Sequence, residues 1–129
     1  MDYKLEVVVI PVSDIDAAIA FYTEKFGFNL DHDNVIDDDN RVVQLTPPGS
    51  ACSVVIGKGV IPQMQPGTVK GVQLVVDDIE AARSDLLSRD LDPGEVNDFG
   101  GVKFLFFDDP DGNGWSVQEW PPKAAAAGG

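Results

Sequence analysis

Asp14-Ile15-Asp16-Ala17-Ala18 recurs 64 residues later as Asp78-Ile79-Glu80-Ala81-Ala82, each time directly after a β-branched run. An internal repeat fixes the architecture before any single motif does. Upstream of the first copy, Val7-Val8-Val9-Ile10 anchors a strand predicted over residues 4–12. Pro11 cannot donate to a ladder and ends it. Ser13 and Asp16 have the spacing of a helix N-cap with an acid at the third position. Ile15, Ala18, Ile19, Tyr22 and Phe26 then share one helical face, and Gly27 stops the helix. The second copy repeats the plan. Residues 71–76 read as a strand, Asp77-Asp78-Ile79-Glu80 as the cap, and Ile79, Ala82, Leu86 and Leu87 as the buried stripe.

Each strand–helix pair is followed by a meander. In the first half, strands are expected over 28–36, 42–46 and 51–56, with turns at Asp37-Asp38-Asp39-Asn40 and Pro47-Pro48-Gly49-Ser50. In the second, Asp92-Pro93-Gly94 turns the chain and two or three strands follow between Glu95 and Trp120. The run Phe104-Leu105-Phe106-Phe107 is apolar on both faces, so one alternate pair, Phe104 with Phe106 or Leu105 with Phe107, should reach the cleft. After the turn Asp109-Pro110-Asp111-Gly112-Asn113-Gly114, Trp115 and Val117 point one way, Ser116 and Gln118 the other. Trp115 is expected beneath the second helix. The predicted fold is α+β: two βαβββ repeats, about 4–57 and about 70–121, forming an eight-stranded curved mixed sheet with a concave cleft and helices on its convex face. Residues 1–123 form a single domain, 57–69 a linker between the repeats, and 124–129 a disordered tail of Ala and Gly.

Charge excludes two classes of partner. Only 9 Lys and Arg stand against 22 carboxylates, a formal net charge of −13. Nucleic acid requires clustered cations, and an anionic membrane would repel the chain. No apolar run approaches the roughly 20 residues that span a bilayer, and Met1-Asp2-Tyr3-Lys4 shows no signal-peptide pattern, so a cytoplasmic protein is expected. Cys52 is the only cysteine and is read as a small buried hydrophobe. His32, between Asp31 and Asp33, is read as a solvated surface histidine. The acids Asp31, Asp33, Asp37, Asp38 and Asp39 lack the glycine and final glutamate of a calcium loop.

Taken together, Val12-Ser13-Asp14-Ile15-Asp16-Ala17-Ala18, Phe21-Tyr22, Phe26-Gly27-Phe28, Val76-Asp77-Asp78-Ile79 and Asp108-Asp109-Pro110-Asp111-Gly112-Asn113 resemble the vicinal oxygen chelate superfamily. That superfamily includes glyoxalase I, bleomycin resistance proteins and extradiol dioxygenases. The resemblance covers roughly residues 4 to 121 and is specific to the fold, not to an activity. It implies four metal-ligand positions, which here fall on Val7, on Val55 or Ser53, on Gly71 and on Ser116. None offers an imidazole or carboxylate. Glu6 and Glu119 lie an odd number of residues from Val7 and Ser116 and face away from the cleft, whereas Gln73 and Gln118 share its inner face.

No metal, cofactor or catalytic residue is therefore assigned. The expected function is a small-molecule binding protein of the glyoxalase/bleomycin resistance type, taking an apolar or aromatic ligand in a cleft lined by Val7, Val9, Ser53, Val55, Gln73, Ser116 and Gln118. Gln73 and Gln118 should neighbour each other across the pseudo-twofold of the repeat. The alternative is a glyoxalase-like lyase, epimerase or dioxygenase with a degenerate or non-standard metal site. A homodimer is expected, because exposed edge strands favour pairing. Whether the cleft closes within one chain or across the dimer is left open by the sequence, as is the identity of the ligand.

Overall fold

The computed structural model describes residues 1–59, 61 and 63–123. The Ala/Gly tail and two positions of the linker lie outside them. The repeat is realised element for element. The first half contains β1 (Val7–Val9), α1 (Ile15–Ala20, continued by a π-helical turn over Phe21–Lys25), β2 (Asn29–Asp37), β3 (Asn40–Thr46) and β4 (Ser53–Lys58). The second contains β5 (Val72–Val76), α2 (Ile79–Ser88), β6 (Asn97–Phe99), β7 (Val102–Asp108) and β8 (Gly114–Glu119). The eight strands form two four-stranded mixed sheets, ordered β1-β4-β3-β2 and β5-β8-β7-β6. In each, the strand before the helix pairs in parallel with the last strand of its half, and the meander pairs antiparallel.

Local chemistry sets the boundaries. The first strand is shorter than the sequence suggests: Ile10 still donates to the carbonyl of Val55, but Pro11 has no N–H to continue the ladder. The first helix is capped by Asp14, not Ser13, since the Asp14 carboxylate accepts from the backbone of Ala17. Asp78 does the same for Glu80 and Ala81. Ser13 is taken up elsewhere, donating from its backbone at 3.1 Å and its hydroxyl at 2.6 Å to Asp111, 98 residues away. The π turn inserts one residue into α1, so Gly27 reaches the left-handed conformation (φ 75) at the place where the second half uses Asp90 (φ 62).

One face of each sheet joins a common core. Val8, Val54, Leu45, Val43 and Ile56 point inward from the first sheet, and Leu74, Trp115, Val117 and Leu105 from the second. Trp115 packs under the first helix, not the second as expected. Its ring centroid lies 5.7 Å from Tyr22, 5.1 Å from Phe26 and 5.6 Å from Phe28. The reason is polar as well as apolar. Trp115 Nε1 donates to the Tyr22 hydroxyl at 3.0 Å, and that hydroxyl donates to Asp109 at 2.7 Å. Burial and the neighbouring Asp109 carboxylate push the Tyr22 phenol well above its ordinary pKa, so it stays protonated and remains a donor. Asn113, fully buried, completes the junction by donating to Asp109 and to the carbonyl of Pro11.

Candidate functional site

The register places the expected site residues by parity. In the first sheet Val7 lies opposite Ser53 and Val9 opposite Val55. Val55 in turn lies opposite Gln44, and Gln44 opposite His32. All these therefore share the face turned away from the core. In the second sheet Gln73 lies opposite Ser116 and Val75 opposite Gln118. Across β7, Ser116 meets Phe106 and Gln118 meets Phe104. The seven residues thus form two groups, Val7, Val9, Ser53 and Val55 on one sheet and Gln73, Ser116 and Gln118 on the other. Ser53 and Gln73 come nearest to joining them, since both border a cavity of about 330 Å³ between Leu5 and Trp115.

The second group is a small hydrogen-bonded unit. Gln73 Nε2 donates to Gln118 Oε1 at 2.5 Å, and the Ser116 hydroxyl donates to Gln73 Oε1 at 3.2 Å. The two amides are neighbours on adjacent strands of one sheet, not partners across the pseudo-twofold as expected. Beside the amides stands an aromatic wall. Phe104 and Phe106 stack with rings 5.7 Å apart and 10° from parallel, and Phe99 from β6 meets both edge-on. Phe99 is 61% and Phe106 47% exposed. Of the two alternate pairs in the phenylalanine run, the open face thus receives Phe104 with Phe106, while Leu105 is buried in the core.

Phe99 was not signalled by the sequence. Its strand is three residues long and its flanks, Asp98 and Gly100, read as loop. The first sheet also holds a polar row beyond expectation: Thr46 Oγ1 bonds Asp31 and lies 2.6 Å from the Ser53 hydroxyl, which Gln44 approaches at 3.5 Å.

The acids follow structural roles. Glu119 is buried on the core side, where it accepts from the backbone of Ile79 at 3.1 Å and sits 3.7 Å from Lys123. Arg41 grips Asp33 through two bonds of 3.0 and 2.9 Å and holds that carboxyl below the usual carboxylate range. Asp37, lowered mainly by its bonds from Asn40, closes the β2–β3 turn. The four positions at which the fold family implies a metal do not fit one. They carry Val7, Val55 or Ser53, Gly71 and Ser116, and the Ser116 hydroxyl is committed to Gln73. Among the described residues, no three His, Cys, Asp or Glu side chains gather in a way that could hold an ion. Nor, among them, is any helix long and apolar enough to cross a membrane.

Comparison with known proteins supplies context for this geometry. Residues 4–117 match the model of the Glyoxalase/Bleomycin resistance protein/Dioxygenase superfamily. Among solved structures, the chain is 30% identical to TnmS3, an antibiotic binding protein from Streptomyces sp. CB03234, with a TM-score of 0.80 over 95% of this chain and 98% of that one. It is also 30% identical to a glyoxalase/bleomycin resistance protein from the same organism, with a TM-score of 0.75 over 90% of this chain and 100% of the other. A superfamily member from Sphaerobacter thermophilus DSM 20745 gives 30% identity and a TM-score of 0.77, over 92% and 98%. No curated protein sequence matches the chain.

Proposed function

The chain belongs to the glyoxalase/bleomycin resistance protein/dioxygenase superfamily, and from that premise we propose that it is a small-molecule binding protein that holds an apolar or aromatic ligand without a metal. One observation carries the reading: the stacked Phe104 and Phe106, with Phe99 edge-on, stand beside the Gln73–Gln118–Ser116 unit on a face open to solvent. An apolar wall with a few placed neutral polar groups is what ligand pockets require. The similarity to an antibiotic binding protein over nearly the whole chain supports the same reading. The catalytic alternative would need an imidazole or carboxylate at the ligand positions, and the residues there supply none.

The ligand cleft is shared between two copies of the chain. Phe28 immediately precedes β2 and Trp115 belongs to β8. A single sheet running β2-β3-β4-β1-β5-β8 would hold them about 24 Å apart, at 4.8 Å per strand. Their rings are 5.6 Å apart. This supports sheets that stack core face to core face within one chain, with their open faces turned outward. Apart from the cavity that Ser53 and Gln73 both border, Val7, Val9 and Val55 can then face Ser116 and Gln118 only across a homodimer. Residues 1–6 are exposed throughout, with Tyr3 91% and Leu5 73% accessible, and they give the dimer an apolar arm to cover.

The test uses Nile red, an uncharged planar aromatic dye, and light scattering on the same samples. The expected results are saturable fluorescence enhancement, weakened about tenfold in Phe104→Ala or Phe106→Ala, and a mass twice the 13.8 kDa of the chain. Enhancement that neither substitution changes would overturn the placement of the site. A monomeric mass at micromolar concentration would overturn the shared cleft.

A further inference from the structure

The two halves are copies, so a place where one is filled and the other is not is informative. At the β1–α1 junction, the β7–β8 turn is sealed down: Asn113 donates to the Pro11 carbonyl at 2.7 Å, Ser13 donates to Asp111, and Tyr22 reaches across to Asp109. The corresponding place in the second half lies between the β5–α2 junction and the β3–β4 loop, Pro47-Pro48-Gly49-Ser50. There the loop's hydrogen bonds stay within itself, from Ser50 to the Pro47 carbonyl and between Ser50 and Cys52. A cavity of about 410 Å³ remains, bordered inside by Phe26, Phe28, Leu74, Leu86 and Val117 and along the edge strand β5 by Gln73 and Val75.

The vacancy has a definite origin. Counted from the capping aspartates Asp14 and Asp78, Tyr22 and Leu86 are the same residue of their helices, both buried. Where the first helix sends a phenol ring under the opposing turn, the second sends a leucine. The opposing loop offers Pro47 where the first junction has Asp109, each being the residue after its strand and the acceptor of its turn's hydrogen bond. The cavity is therefore short of one aromatic ring, and no carboxylate awaits its hydroxyl. Phe26 and Phe28, stacked at 4.4 Å, wall it as Phe26 and Phe28 also wall Tyr22. At the rim Asp85 is neutralised by Arg89 at 3.2 Å, so neither charge is selected.

We infer that this cavity is a second ligand site, meeting the open-face cleft only along the edge strand β5 at Gln73 and Val75, and that it takes an uncharged one- or two-ring aromatic molecule in the position that Tyr22 fills in the first half. Its volume lies within the range of small-molecule pockets, and apolar cavities of this kind accept aromatic rings readily.

Indole is the probe. Titrated into full-length protein with ¹³C-labelled Leu and Val methyls, it should shift the methyl resonances of Leu74, Leu86, Val76 and Val117 saturably, with a millimolar dissociation constant for a fragment of this size. Leu86→Tyr, which gives the second half the ring of the first, should weaken that binding about tenfold or more, as should Ala82→Leu, which fills the same cavity from the next turn of α2. Phe106→Ala should leave the indole titration unchanged, because that residue belongs to the other site. The inference fails if those methyls do not shift up to the solubility of indole. It fails equally if the shifts persist in whichever of Leu86→Tyr and Ala82→Leu is folded, or are abolished by Phe106→Ala.

Discussion

Removing one oxygen atom, in Tyr22→Phe, tests the junction that binds the two halves together. The hydroxyl is fully buried and makes two bonds, donating to Asp109 Oδ2 at 2.7 Å and accepting from Trp115 Nε1 at 3.0 Å. Asp109 would not be stripped, because Asn113 Nδ2 still donates to the same oxygen and the backbones of Asp111 and Asn113 donate to the other. A hydrogen bond to a charged group contributes roughly 1.5–3 kcal/mol, and an indole N–H left buried without an acceptor costs about 1 kcal/mol more. The expected loss is about 2.5–4 kcal/mol, a large part of the roughly 5–15 kcal/mol that holds a domain of this kind together. Urea unfolding should show a lower midpoint with an unchanged slope.

The same side chain makes a prediction about alkaline pH. Its folded-state pKa lies above the ordinary value of 10.0, because burial and Asp109 both oppose the phenolate. The folded chain therefore keeps a proton that the unfolded chain releases. The stability this represents is complete below about pH 10 and falls as pH rises past it, by up to about 1.4 kcal/mol per pH unit. Stability measured from pH 9 to 11 should decline more steeply in the native protein than in Tyr22→Phe. Parallel declines, or a loss below about 1 kcal/mol at neutral pH, would refute the account of Tyr22 as the donor to Asp109.

Asp90 holds a left-handed conformation that Gly27 holds in the first half, so Asp90→Gly should raise stability by about 0.5–1 kcal/mol in thermal or urea unfolding, the relief of strain exceeding the added freedom of the unfolded chain. Gln73→Leu or Gln118→Leu should weaken Nile red binding about 2- to 10-fold while shifting the urea midpoint little, since both amides lie on an open face; a change in stability with no change in binding would assign them to the fold alone. Elemental analysis after dialysis should find no stoichiometric Ni, Zn, Fe or Mn, and about one such ion per chain would overturn the metal-free reading.

The parts of this molecule legible in the sequence are those governed by short-range periodicity. The copy of Asp14–Ala18 at Asp78–Ala82 announces two βαβββ units. The alternation of Trp115, Ser116, Val117 and Gln118 assigns each to its face, because a strand has a period of two and a shared register carries the assignment to its neighbours. What the sequence could not show depends on residues far apart in the chain. Ser13 reads as a cap until Asp111 is brought beside it. Phe104 and Phe106 cannot be preferred over Leu105 and Phe107 until β7 is registered against β8, when their pairing with Gln118 and Ser116 settles the choice.

The position of Trp115 shows why such errors accumulate between the halves and not within them. Backbone ladders fix the order of strands in each sheet, but nothing in a ladder says how two sheets meet. That is decided by which side chains leave polar groups to satisfy. Trp115 carries an indole N–H that a wholly apolar site under Leu86 could not accept, whereas Tyr22 offers an oxygen whose own proton is taken by Asp109. The ring thus goes to the first helix. Phe26 and Phe28 close around it, and the place under the second helix is left short of an aromatic ring. The buried chain from Trp115 through Tyr22 to Asp109 and the cavity beside Leu86 are two consequences of one divergence between the repeats, the exchange of tyrosine for leucine at a single helical position.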